Sequence, residues 1–124
     1  MVAMRSVMIV DDDADIRMAV QIVLETYGYC VITANDGAEA LGKLEAGERP
    51  CLIILDLMMP GMDGQQFREA QLDNPALAKI PVVVLSGDYK VDERAAEMGV
   101  EGLRKPIQLP KLLAKVEQFC GAST

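Results

Sequence analysis

Five short apolar runs rich in β-branched residues recur along the chain at intervals of roughly 20 to 30 residues, and helical patterns lie between them. Apolar runs without strict alternation predict strands that are buried on both faces of a parallel sheet. Because the strands alternate with helices, the pattern predicts an α/β fold of the (βα)5 type. The predicted strands are residues 7–10, 30–33, 51–55, 82–85 and, more weakly, 100–104.

Apolar residues at helical spacing define five helices, one after each predicted strand. The first helix carries a stripe that Gly28 is placed to end, and the last carries the most regular stripe. The predicted apolar positions are, helix by helix, Ile16, Val20, Val23, Leu24 and Tyr27; Ala38, Leu41 and Leu44; Phe67, Ala70 and Gln71; Ala95, Ala96 and Met98; and Leu109, Leu112, Leu113, Val116, Phe119 and Cys120.

Composition narrows the classes of function. The 124 residues, of which 51% are hydrophobic, predict one domain over residues 1–124 with its own core. A formal charge of −7 argues against a nucleic-acid partner. The apolar runs fall far short of the roughly 20 residues that a membrane helix needs, so we expect no membrane segment and a cytoplasmic protein. The absence of histidine excludes Ser–His and Cys–His nucleophiles, which leaves carboxylates, hydroxyls and lysines to carry chemistry.

The three cysteines predict no metal or disulfide framework. Cys30, Cys51 and Cys120 are odd in number, widely spaced and set among apolar neighbours. We therefore expect buried, reduced thiols.

Polar side chains follow the predicted strands where a parallel sheet collects its ligands. Asp11, Asp12 and Asp13 follow the first strand, and Asp56 follows the third. Crowded carboxylates repel one another by about 1 kcal/mol per pair at 4 Å in water, and a cation would relieve this repulsion. Oxygen ligands without histidine or cysteine favour a hard ion, and a set of two or three carboxylates suits Mg²⁺ better than Ca²⁺.

Simpler interpretations of these residues stay open. Asp13 alone could cap a helix, since aspartate is favoured at that position. Ser86, after the fourth strand, could be a turn hydroxyl, and Lys105, after the fifth, a solvated lysine. Capping does not explain Asp56, and a hydroxyl and an ammonium beside a metal-bound carboxylate are what a transferred phosphoryl group requires.

Four motifs, together with this strand-end pattern, resemble the receiver domain of two-component response regulators of the single-domain chemotaxis type. They are Val10-Asp11-Asp12, the decapeptide at residues 55–64, Leu85-Ser86-Gly87 and Lys105-Pro106. The resemblance covers essentially the whole chain, and the decapeptide is its most specific part. It implies a doubly wound, flavodoxin-like sheet of five parallel strands in the order 2-1-3-4-5.

The resemblance also implies a role for each site residue. Asp56 is the expected phosphoacceptor, Ser86 the hydroxyl donor to the phosphoryl group, and Lys105 its cationic partner. Asp11, Asp12, Asp56 and the backbone carbonyl of Met58 are the expected Mg²⁺ ligands. The implied donor is the phosphohistidine of a sensor histidine kinase or of a histidine phosphotransfer protein, and the implied output is altered binding of an unidentified protein. Such a chain is a self-phosphorylating and self-dephosphorylating switch rather than a turnover enzyme.

One position departs from the family pattern. Three residues before the lysine the family commonly has an aromatic side chain that relays the signal to the face formed by the fourth helix, fifth strand and fifth helix. Gly102 occupies that position here, and Ile107 is no obvious replacement. We hypothesise that output relies on backbone movement in the loop 87–90, with Tyr89 as a candidate substitute.

The resemblance suggests two finer features. The peptide bond between Lys105 and Pro106 is expected to be cis, which would aim the lysine into the site. Asp88, two residues beyond Ser86, is a candidate to orient a hydrolytic water, because the apolar side chain of Met58 cannot.

Two other functions remain as alternatives. An aspartyl-nucleophile phosphohydrolase also places an aspartate after a strand, although the run from Asp11 to Asp15 lacks the threonine of its usual motif. A docking domain that is not phosphorylated would keep the fold, and Gly102 is the feature that favours it. With no output domain in these residues, the readout is an intermolecular contact, unless the chain is part of a longer regulator.

Overall fold

The fold alternates five strands with five helices. A computed structural model describes residues 5–59 and 61–121. The strands are β1 (Ser6–Val10), β2 (Cys30–Ala34), β3 (Leu52–Asp56), β4 (Val82–Ser86) and β5 (Glu101–Arg104). The helices are α1 (Ala14–Thr26), α2 (Gly37–Glu45), α3 (Gly64–Asp73), α4 (Val91–Glu97) and α5 (Leu109–Cys120).

All five strands are parallel and form one sheet in the order β2-β1-β3-β4-β5. This confirms the predicted (βα)5, doubly wound, flavodoxin-like fold. Every residue of β3 and β4 is buried, as expected for central strands covered on both faces.

Two apolar clusters fill the space on the two faces of the sheet. On one face α2, α3 and α4 contribute Leu44, Phe67 and Ala95, and on the other α1 and α5 contribute Leu24 and Leu112. The helices therefore cover both faces, and the carboxyl edge of the sheet is left to the loops that follow the strands.

Aspartate caps begin three of the helices. The carboxylate of Asp13 accepts hydrogen bonds from the backbone N–H groups of Asp15 and Ile16, so the capping interpretation of this residue is correct. Asp36 caps α2, and Asp63 caps α3 in a capping box with Gln66.

Some predicted burial positions are wrong. In α2 the buried alanine is Ala40, whereas the predicted Ala38 is exposed, because the helix begins at Gly37 and turns that side chain to solvent. Tyr27 is 49% exposed because α1 ends before it. Pro60, which belongs to the decapeptide, lies outside the described residues.

The expectation of three reduced thiols is wrong for two of them. Cys51 and Cys120 form a disulfide with their Cα atoms 5.4 Å apart. Cys51 directly precedes β3 and Cys120 ends α5, so the fold brings together residues that are 69 positions apart in sequence. Cys30 is half-buried at the start of β2.

Among the described residues, no helix is both long enough and apolar enough to cross a lipid bilayer.

Candidate functional site

The carboxyl edge of the sheet brings the sequence-predicted site residues together. Asp56 ends β3 and lies in register with Leu85 of β4, directly before Ser86. Ser86 is in register with Arg104, and its carbonyl accepts a hydrogen bond from the N–H of Lys105 at 2.8 Å. Three neighbouring strands thus deliver a carboxylate, a hydroxyl and an ammonium to one edge.

Three carboxylates cluster at this edge. Asp11 follows β1 and is completely buried, Asp56 is 3% exposed, and Asp12 is exposed. One carboxylate oxygen from each of the three lies within 4.8 Å of the others. Asp13, the third acidic residue of the run, caps α1 and is not part of this cluster.

Backbone contacts hold the buried carboxylates in place. Oδ1 of Asp11 accepts a hydrogen bond from the N–H of Asp13 at 2.9 Å, and Oδ1 of Asp56 accepts one from the N–H of Met58 at 3.2 Å. Arg17, at the first turn of α1, donates from Nη1 to the carbonyl oxygen of Asp11 at 2.6 Å. Sequence reasoning did not assign Arg17 to the site, because its contact is made to a backbone atom.

Lys105 lies between the two buried carboxylates. Its Nζ is 3.0 Å from Oδ2 of Asp11 and 3.4 Å from Oδ2 of Asp56. Burial acts to lower the pKa of Lys105, but the two carboxylates outweigh it and raise the pKa. The ammonium therefore stays charged at neutral pH, and one cation faces two anions.

The pKa of Asp56 is raised to about 6. Burial is the main cause and the neighbouring Asp11 carboxylate is the second, whereas the N–H of Met58 and the ammonium of Lys105 act in the opposite direction. The N–H of Met58 and the ammonium of Lys105 therefore do not fully offset the cost of holding Asp56 in its charged form.

The cluster fits a divalent cation. Oδ2 of Asp11 is buried and accepts no hydrogen bond from the described residues; its contact with Lys105 is an ion pair without hydrogen-bond geometry. An all-oxygen donor set of three carboxylates, one of them open to solvent, matches the preference of Mg²⁺, which keeps several waters.

Ser86 and Met58 sit beside this cluster. The Ser86 side chain is buried, and its Oγ accepts a hydrogen bond from the N–H of Asp88 at 3.0 Å. Met58 is 66% exposed, and its hydrogen bond to Asp56 is made by its backbone N–H.

The finer expectations have mixed outcomes. The Lys105–Pro106 peptide bond is cis, as predicted. Tyr89 is 75% exposed, and a β carbon at residue 102 would meet Val91 and Ala95 of α4. The role of Tyr89 as a substitute for the missing aromatic stays a prediction.

The carboxylate of Asp88 is engaged by two groups of its own loop and helix. It accepts from the N–H of Lys90 at 2.9 Å and pairs with Nε of Arg94 at 3.1 Å. The N–H of Lys90 and then the charge of Arg94 hold the pKa of Asp88 below its usual range. Sequence reasoning missed Arg94, since a pair six residues apart across a loop and a helix start follows no fixed spacing.

Known proteins resemble this chain in sequence and in fold. The family model for the response regulator receiver domain matches residues 7–117. The transcriptional regulatory protein PrrA of Mycobacterium tuberculosis is 40% identical over 116 residues, which are 90% of this chain and 48% of that protein. Response regulator MprA of Mycobacterium leprae is 37% identical over 117 residues, 89% of this chain and 48% of that protein. The chain thus spans about half the length of the curated relatives it matches.

Solved structures agree with the sequence matches. Chemotaxis protein CheY4 of Vibrio cholerae superposes with a TM-score of 0.84 at 33% identity, covering 94% of this chain and 99% of that one. A response regulator receiver protein from Pseudomonas putida gives a TM-score of 0.86 at 31% identity, covering 95% and 99% of the two chains.

Proposed function

The chain belongs to the response regulator receiver family, and from this premise we propose that it is a two-component phosphoacceptor switch in which Asp56 accepts the phosphoryl group. The observation that carries the proposal is the position of Asp56. Its carboxylate ends a buried strand at the carboxyl edge of the sheet, beside two further carboxylates and 3.4 Å from an ammonium.

Each side chain of the site has a part in the transfer. An oxygen of Asp56 forms a bond to phosphorus while the P–N bond of the donor's phosphohistidine breaks, and the electron pair of that bond leaves with the imidazole nitrogen. Lys105 pairs with one phosphoryl oxygen, and the hydroxyl of Ser86 donates to another. The histidine that this chain lacks belongs to the donor, a sensor histidine kinase or a histidine phosphotransfer protein.

Asp11, Asp12 and Asp56, with the carbonyl of Met58, are the groups that we propose to hold Mg²⁺. The bound ion would neutralise charge on the phosphoryl oxygens during transfer. Arg17 and Asp13 keep the loop of Asp11 in the position that this requires, through the contacts to its carbonyl and to its carboxylate.

We propose that phosphorylation changes a protein contact. One relative is named a transcriptional regulatory protein, and this chain spans 48% of it. The partner is either a separate protein or a domain joined to this one. The net charge of −7 favours contact with protein over direct contact of these residues with nucleic acid. We place this contact in the cytosol.

The test uses phosphoramidate, a small donor with the same P–N bond. Incubation with Mg²⁺ is expected to add one phosphoryl group to the intact chain, as measured by mass spectrometry, and Asp56→Asn is expected to abolish the gain. Asp73→Asn, a change at an exposed aspartate at the end of α3, is the matched control and is expected to label like the unmodified chain.

Two results would contradict the proposal. One is the absence of Mg²⁺-dependent labelling in the unmodified chain, and the other is full labelling of Asp56→Asn. Release of many phosphates per chain from small phosphoesters would instead favour the phosphohydrolase.

A further inference from the structure

The loop between β4 and α4 connects Ser86 to the first turns of α4 through contacts of Asp88. The N–H of Asp88 donates to Oγ of Ser86, and the two carboxylate oxygens of Asp88 accept from the N–H of Lys90 and from Nε of Arg94. Asp88 is therefore hydrogen-bonded to the site through its backbone and to the start of α4 through its side chain.

The start of α4 depends on this residue. Lys90, at the N-cap position, makes no side-chain capping hydrogen bond. The backbone carbonyl of Asp88 accepts from the N–H of Val91, so that Asp88 supplies acceptors to two of the first N–H groups around the helix start. A displacement of Asp88 would therefore move or fray the first turn of α4.

Gly102 places α4 directly against the backbone of β5. A β carbon at residue 102 would lie 3.1 Å from Cβ of Ala95, 3.1 Å from Cγ2 of Val91 and 3.3 Å from the carbonyl oxygen of Val91. No side chain of residue 102 separates the helix from the strand, so a movement of α4 needs no rearrangement of an aromatic ring.

We propose that Asp88 and Arg94 carry the phosphorylation signal from Ser86 to α4, in place of an aromatic side chain at residue 102. This inference rests on the proposed phosphoacceptor function. The hydroxyl of Ser86 turns to donate to a phosphoryl oxygen on Asp56. Its Oγ, which accepts the hydrogen bond from the N–H of Asp88, moves with it. Asp88 then shifts, and its ion pair with Arg94 transmits the shift to the middle of α4.

The surroundings of Arg94 suit this role. Arg94 lines a small groove of about 70 Å³ between α4 and the loop after β3, together with Met58, Asp63 and Glu97. Its side chain is about half exposed, so the ion pair with Asp88 is adjustable and not locked in the core. Asp88 and Arg94 are positioning residues, since neither contacts Asp56.

Beryllofluoride with Mg²⁺, a stable mimic of the phosphoryl group, allows the relay to be tested apart from the chemistry. The backbone amide resonance of Leu57 reports on the site, and those of Ala95 and Ala96 report on α4. In the unmodified chain all three are expected to shift on addition of the mimic.

Arg94→Met is expected to leave the Leu57 shift and the apparent affinity for the mimic unchanged within twofold, while the shifts of Ala95 and Ala96 fall by more than half. Asp88→Asn, which keeps an oxygen for the N–H of Lys90 but loses the ion pair, is expected to act in the same direction. Arg94→Lys is expected to restore part of the response, because it keeps the charge.

Lys111→Met is the matched control, because it removes an exposed cation from the first turn of α5 that has no ion pair among the described residues. It is expected to leave all the shifts as in the unmodified chain. Full α4 shifts in both Arg94→Met and Asp88→Asn would overturn the relay. A missing Leu57 shift in the unmodified chain would instead overturn the proposed function.

Discussion

Asp56 combines burial with the need to carry charge. Its carboxylate is almost completely removed from water and faces Asp11, so its pKa rises to about 6. At pH 7 the carboxylate is ionised, although burial and Asp11 both disfavour the charged form. One ammonium, that of Lys105, serves both buried anions. The ionised carboxylate of Asp56 is thus held at the expense of local stability, which a bound divalent cation would restore.

Asp12 is the proposed Mg²⁺ ligand whose contribution can be measured most cleanly, because its side chain is exposed and its loss leaves the core intact. Removing one charge at about 4 Å from a divalent ion costs about 2 kcal/mol even in water, which corresponds to roughly 30-fold in affinity. We expect Asp12→Asn to weaken Mg²⁺ binding by roughly that factor in isothermal titration calorimetry. Asp15→Asn, an exposed change in the first turn of α1, is the control, and equal affinities of the two variants would refute the assignment of Asp12.

We expect Lys105 and a divalent ion to compete for the same carboxylate oxygens. Because the ammonium lies 3.0 Å from Asp11 and 3.4 Å from Asp56, its removal leaves the carboxylates uncompensated. We expect Lys105→Met to bind Mg²⁺ about threefold more tightly or better, while labelling by phosphoramidate falls. Calorimetry and intact mass measure the two effects, and weaker Mg²⁺ binding in this variant would show that the lysine does not oppose the ion.

At the scale of the elements, two glycines predict opposite responses to the same substitution. Gly102 lies under α4, where a β carbon would press on Val91 and Ala95, whereas Gly42 lies in α2 with no atom within 4 Å of that position. We expect Gly102→Ala to lower the free energy of unfolding by about 1 kcal/mol or more, because α4 must move away. Gly42→Ala is expected to raise it by about 0.5–1 kcal/mol through helix propensity.

Urea unfolding followed by circular dichroism measures both changes. If Gly102→Ala were as stable as the unmodified chain, the close seating of α4 on β5 would be wrong. An unchanged slope of free energy against urea is expected for both variants, because neither alters the surface exposed on unfolding.

Sequence patterns predicted the elements well where burial alone decides the structure. The apolar runs of β3 and β4 are buried on both faces of the sheet. The stripe of α5 is buried at Leu112, Val116 and Cys120, whereas Leu109, at the start of the helix, is 40% exposed. Prediction failed where a neighbour decides: Ala38 and Ala40 are equivalent in composition, and only the start of α2 at Gly37 selects the second for the core. The spacing places Gln71 on the apolar face of α3, and its burial is tolerated because its amide donates to the carbonyls of Leu77 and Ile80.

At the scale of the whole molecule, parallel topology explains why the site was predictable. Residues that end or directly follow β1, β3, β4 and β5 must meet at one edge, so the sequence alone is enough to group Asp11, Asp56, Ser86 and Lys105. The disulfide could not be predicted in this way. Cys51 and Cys120 meet at the opposite, amino edge of the sheet, and the meeting depends on the length and packing of α5, which spacing does not encode.

The end of α5 is fixed to the sheet by several contacts. Arg5 donates to the carbonyl of Cys120 at 2.9 Å, and the hydroxyl of Tyr29 donates to the carbonyl of Gly121 at 2.7 Å. These acceptors are the carbonyls that the end of a helix leaves without partners. The disulfide adds a covalent connection at the same place, far from the carboxylates of the candidate site.

This geometry predicts that stability, and not metal binding, depends on the redox state of the chain. Closing a loop across 69 positions removes conformational freedom from the unfolded chain worth about 4 kcal/mol. For a domain of 124 residues that corresponds to a fall of about 10–15 °C in the melting temperature on reduction with a dithiol. Calorimetric scans with and without the reductant measure the difference.

Cys51→Ser is expected to melt at the temperature of the reduced protein under both conditions, whereas Cys30→Ser is expected to keep the full difference. Mg²⁺ affinity is expected to stay the same within twofold in all these samples, because Cys51 and Cys120 lie at the far edge of the sheet from Asp11 and Asp56. A melting temperature that does not change on addition of the reductant would contradict the disulfide between Cys51 and Cys120. A large change in Mg²⁺ affinity would show instead that the two edges of the sheet are coupled.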